Sequence, residues 1–150
     1  MKKVIGLMVV VAFSICAAGT ALAASNPKKD AEGLVKKAVA FFKAHGKEKT
    51  FAEINNPKGQ FVKGELYIFV NDFNGISLAH GGNQKLIGKN MLGLKDSDGK
   101  PFIQEFIKAA KQGGGWVDYK WNNPVTKKIE AKSSYIEPAG DIYFGCGIYK

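Results

Sequence analysis

The sequence predicts an α+β domain, a long N-terminal helix packed on a five-stranded antiparallel sheet. Three observations predict it. Between Asp30 and His45 apolar residues recur at helical spacing. From Phe61 to Tyr149 short alternating runs are punctuated by turn residues. Between them lies one Gly- and Asn-rich excursion, too long for an ordinary turn.

The chain opens with Lys2-Lys3, an apolar run from Val4 to Ala18, and Ala21-Leu22-Ala23 as a small-x-small site. That run is shorter than the roughly 20 residues that span a bilayer, so residues 1–23 read as a cleaved secretory signal peptide. Residues 24–150 then form one domain, without a transmembrane segment and with room for a single core. In the helix, Ala31, Leu34, Val35, Ala38, Val39, Phe41 and Phe42 share a face, and Gly46 is a natural stop. A short helical piece follows around Phe51–Ile54.

Phe61–Phe73 reads as the strongest strand. Tyr67, Phe69 and Phe73 fall on one face, and Leu66, Ile68 and Val70 on the other, so both faces need a cover. Asn74-Gly75 is a two-residue hairpin signal, returning as a strand from Ile76 to His80. The excursion 81–100 follows, then a helix opened by Pro101 and ended by Gly113-Gly114-Gly115. Strands at about 116–122, 129–137 and 141–149 complete five strands in hairpin order.

Composition excludes several function classes. Export removes Cys16 and leaves only Cys146, so no internal disulfide forms, and no haem-attachment, zinc or thioredoxin pattern occurs. The formal charge is +9, yet all 22 basic residues are lysine. Base recognition leans on arginine, so nucleic acid is not the expected partner. No nucleophile elbow or paired acid and base can be assembled, and no enzymatic activity, cofactor or metal is expected. Asp96, Asp98, Gly99 and Glu105 mimic a calcium loop. The first ligand position falls on Leu94, however, and an Asx turn fits better.

Lys132 is the residue of most chemical interest. Within Ile129–Tyr135 it either aims an ammonium into a covered face, where a ligand carboxylate can pair with it, or lies on a wet face. Tyr119 and Trp121 share a strand face with Val117 and serve equally as pocket walls or core. His80 ends its strand beside Gly81-Gly82, and either reaches the same pocket as a hydrogen-bond donor or serves as a capping or solvent-exposed residue. In the last strand Ile142, Phe144, Cys146 and Ile148 read as core, and Gly145 and Gly147 leave room on the other face, for a ligand or for close backbone packing.

Gly64–Gly75, Leu78-Ala79-His80, Gly88-Lys89-Asn90, Asp98-Gly99, Gly115–Pro124, Lys132-Ser133-Ser134-Tyr135 and Gly147-Ile148-Tyr149 occur in that order. As a series they resemble the second type of single Cache domain, the extracytoplasmic sensor module of bacterial chemoreceptors and histidine kinases. The resemblance covers residues 30–150. It implies a PAS-like fold, with a ligand pocket between the sheet and the loop-helix excursion, and a small organic acid as ligand. It makes Lys132, Tyr119, Trp121 and Tyr135 the first candidates for that pocket, with His80 next and Tyr67 beside them. Receptors of the family continue after Gly-Ile-Tyr into a membrane helix, whereas one residue, Lys150, follows here. The expectation is a periplasmic carboxylate-binding protein that presents its ligand to a membrane receptor or kinase. The alternative is an interaction module with a vestigial pocket, docking a receptor or redox complex.

Overall fold

The computed structural model describes residues 25–150, and the expected leader 1–23 lies outside them. Helix α1 (Pro27–Asn55) is capped by the Asn26 side chain, which accepts from the Lys29 N–H, and Pro27 fills its first turn. Gly46 takes φ 79°, a conformation costly for any residue with a Cβ, and there the helix breaks. The two expected helical pieces are therefore one kinked element. Thr50 Oγ1 donates to the Gly46 carbonyl across the kink (2.7 Å).

Among the described residues the sheet has six strands: β1 (Val62–Lys63), β2 (Leu66–Asp72), β3 (Ser77–His80), β4 (Gly115–Asn122), β5 (Ile129–Ala139) and β6 (Ile142–Tyr149). The expected single strand Phe61–Phe73 is a correction. Gly64, at φ 61°, reverses the chain, so β1 folds back on β2 with Lys63 opposite Leu66. The Asn74-Gly75 hairpin is also looser than two residues. Asp72 Oδ1 accepts from the N–H groups of Asn74 and Ile76, and strand pairing resumes only at Asn71–Ser77.

Strand order is β1-β2-β6-β5-β4, with β3 also paired to β2. Simple hairpin order fails because the last strand inserts beside β2, with Ile68 opposite Cys146 and Phe69 opposite Gly145. Among the described residues no helix is long and apolar enough to cross a membrane.

Each face of the sheet has its own core. Ala31, Val35, Ala38 and Val39 of α1 press on Ile68, Val70, Ile142 and Phe144. Cys146 is buried on that face, and burial pushes its thiol up to about 12, leaving it an inert apolar group. On the opposite face, helix α2 (Phe102–Lys111) packs Phe102, Ile103 and Phe106 against Phe69, Tyr119, Ile136 and Tyr143. The excursion 81–100 holds a short 3₁₀ helix, Gln84–Leu86. It is pinned by Asp96, whose Oδ1 accepts from Asp98 and Lys100 N–H and whose Oδ2 accepts from Lys120 N–H on β4. That carboxylate is saturated by backbone donors, as an Asx turn requires.

Candidate functional site

Strand register builds the site. Lys132 on β5 lies directly opposite Tyr119 on β4 and Tyr149 on β6, so three side chains stand in a row across the sheet face that α2 covers. Lys132 is 1% exposed. Its Nζ sits 4.0 Å from the Tyr67 ring centre and 4.7 Å from that of Tyr149, with each aromatic face toward the cation. Among the described residues no carboxylate lies within ion-pair distance of it. Burial pushes the Lys132 ammonium down from 10.5 to about 7, against the smaller opposing pull of Cys146 and Glu65.

The hydrogen bonds around it run in one direction. Lys132 Nζ donates to Tyr67 Oη (2.6 Å), and the Tyr67 and Tyr149 hydroxyls lie 3.3 Å apart. Tyr149 donates its proton to the Asn122 carbonyl (2.9 Å), so the Tyr67 proton is the one shared with Tyr149. This is a chain of donors starting from a buried cation and ending on a neutral acceptor. Burial raises both phenols, Tyr149 to about 12, so they remain donors at any physiological pH.

Tyr67 lines two adjoining cavities, and so do His80 and Trp121. The inner cavity, about 20 Å³, is walled mainly by Phe69, Met91, Phe102, Ile103 and Phe106. The outer one, about 280 Å³, is bordered by Asn83, Lys85, Asn122 and Lys127. Lys132 borders neither, because Tyr67 stands in front of it.

Of the other residues picked from sequence, Tyr119 is buried here, bonded to Ser134 Oγ (3.0 Å) and stacked on Phe102. Trp121 packs edge-on against Phe102. His80 is buried; the Asn83 N–H donates to its Nδ1 (2.9 Å), leaving the ring proton on Nε2. Desolvation first, and the neighbouring Lys132 second, push His80 down to about 3. We expect its imidazole to stay neutral between pH 5 and 8, with only the small shift that the titration of neighbouring Lys132 near 7 induces. A full-amplitude change to imidazolium shifts with a midpoint near 6.5 in a histidine NMR pH series would show the ring to be solvated.

Tyr135 is a correction. Strand residues alternate in facing, so Lys-x-x-Tyr places its ends on opposite sides of the sheet. Tyr135 packs with Trp116 on the α1 side and reaches Glu137 (3.3 Å).

Sequence reasoning passed over Tyr149, Asn71 and the α2 phenylalanines. The signal for Tyr149 was its alternation with Gly145 and Gly147. That for Asn71, whose amide donates to Tyr143 (3.1 Å), was a polar residue in phase with Tyr67 and Phe69. The space beside the two glycines is filled, by the Phe69 ring at Gly145 and the Lys132 stem at Gly147.

Comparison with known proteins gives a consistent picture. A segment of 85 residues is 38% identical to the sensor histidine kinase MctS of Rhizobium johnstonii, covering 55% of this chain and 18% of the kinase. The chain therefore corresponds to less than a fifth of that relative's length. A methyl-accepting chemotaxis protein of Vibrio parahaemolyticus superposes with a TM-score of 0.69 at 27% identity, covering 81% of this chain and 87% of that one. A Cache chemosensory domain described for its carboxylic acid recognition has the same fold, with a TM-score of 0.64 at 24% identity over 81% of this chain and 86% of that one. The family model for Single Cache domain 2 matches residues 29–149, and the chain belongs to that family of sensor domains.

Proposed function

We propose that this domain is a periplasmic sensor for a short-chain carboxylate, and that it reports the bound state to a membrane kinase or chemoreceptor. One observation carries the reading: among the described residues Lys132 is a buried cation without a carboxylate partner, and its one side-chain hydrogen bond there runs to Tyr67, which faces both cavities. An uncompensated buried charge is costly, and a bound anion removes that cost. In this reading the ligand carboxylate accepts the Tyr67 hydroxyl proton in place of Tyr149, with the Lys132 charge directly behind. His80, held neutral, adds an Nε2–H donor without a competing positive charge. The carboxylic acid recognition of the Cache domain with the same fold, and the kinase relationship, support the same reading. The expected leader at residues 1–23 supports the compartment.

Titration calorimetry of the purified protein against C2–C4 carboxylates tests it. At least one acid is expected to bind with a Kd below about 1 mM, some 4 kcal/mol of binding free energy. Absence of heat for the whole panel at millimolar ligand would reject the proposal. The small inner cavity favours a second reading, a pocket closed by its own side chains on a module that docks a membrane partner. The same null calorimetry, with capture of a receptor by the protein, would support that instead.

A further inference from the structure

The inner cavity has room for about one water molecule, too little for any carboxylic acid. The outer cavity is more than ten times larger and meets it only across Tyr67, His80 and Trp121. Among the described residues two lysines border the outer cavity, and no carboxylate does. Neither Lys85 nor Lys127 is among the lysines that form ion pairs in the described residues.

Their backbones are held in place. Asn83 Oδ1 accepts from the Lys85 N–H (3.1 Å) while the Asn83 N–H ties the same turn to His80. Lys127 sits at φ 62°, the only described non-glycine residue with positive φ, and its N–H donates to the Asn123 carbonyl (2.9 Å). The neighbouring acids Glu65 and Glu130 are both engaged by the Asn123 amide (2.6 and 2.8 Å), outside the cavity wall. Asn123 is fully buried and also receives the Val125 and Thr126 N–H groups, so one residue both shapes the turn and holds these two carboxylates.

We propose that the outer cavity is a second anion subsite, and that the preferred ligand is a short dicarboxylate. One carboxylate meets the Tyr67 hydroxyl with Lys132 behind it, and the other lies between Lys85 and Lys127. This inference rests on the reading of Lys132 given above.

The test pairs acids of equal carbon count, succinate with butyrate and malonate with propionate, on wild type and on the double variant Lys85→Gln/Lys127→Gln. Both lysines are exposed, so the variant leaves the core intact. Two solvated charge pairs predict that wild type binds each dicarboxylate about ten-fold more tightly than its partner acid. The variant should lose that preference, with monocarboxylate affinity kept within about two-fold. Equal affinities within each pair, or a dicarboxylate preference that survives the double variant, would overturn the subsite and leave the Lys132 reading standing. If no acid of either kind binds, the Lys132 reading itself fails and the subsite with it.

Discussion

Replacing Lys132 with methionine should abolish carboxylate binding and, in the same protein, raise its stability. The side chains are of similar length, so the stem that passes Gly147 is preserved. Displacing a buried ammonium from 10.5 to about 7 corresponds to about 5 kcal/mol of stability forgone while the group is charged. Losing the bond to Tyr67 returns about 1 kcal/mol of that, leaving a gain of about 4 kcal/mol at pH 6.

The sign follows from proton linkage. Between pH 7 and 10.5 the unfolded chain holds a proton on Lys132 that the folded chain has released. Wild-type stability therefore rises with pH across that window, and the penalty is complete only below 7. The difference between variant and wild type should accordingly shrink as pH increases. Urea denaturation at pH 6 and pH 9 measures both quantities. A destabilised variant at pH 6, or a difference independent of pH, would mean that Lys132 is solvated or paired.

The second large effect is expected at the two glycines of β6. A Cβ at Gly147 would collide with Ser134 Oγ and Lys132 Cε and lie 3.0 Å from the Ser133 carbonyl. One at Gly145 would collide with the Phe69 ring, itself stacked on Phe106. Each alanine should cost about 3 kcal/mol, the upper end for overpacking, because backbone or a wedged ring must yield. The two differ in function. Gly147→Ala displaces the lysine and should weaken carboxylate binding, whereas Gly145→Ala acts through Phe69 on the apolar wall. Thermal melts together with calorimetry separate them; two variants of wild-type stability would contradict the packing of this face.

Those glycines also show how far sequence carries. Within each strand the facing of residues was readable, since alternation is a local property of the backbone. Tyr119 with Trp121, and Cys146 with Phe144, were sorted onto their faces by it. The relation between strands was not readable. Setting Lys132 opposite both Tyr119 and Tyr149 depends on the turns at 123–128 and 140–141 and on tertiary pairing, and no local pattern encodes it. The insertion of β6 beside β2 is hidden for the same reason, because the two segments are some seventy residues apart. Tyr135 illustrates the opposite error. The motif drawn from the family resemblance overrode a parity rule that already placed Lys132 and Tyr135 on opposite faces. The hairpin of β1 on β2 was missed because the apolar run Phe61–Phe73 outweighed Gly64, whose left-handed conformation makes the turn.

The central claim is that the Lys132 ammonium balances the ligand's charge, and proton uptake on binding tests it most directly. At pH 8 the acids are fully ionised while Lys132, with its proton affinity near 7, is mostly neutral. An anion that needs the charged form must draw a proton from the buffer. Calorimetry at pH 8 in buffers of different ionisation enthalpy should then give an uptake approaching one proton per ligand bound, absent in any residual binding by Lys132→Met. Carboxylate binding without proton uptake at pH 8 would contradict the account.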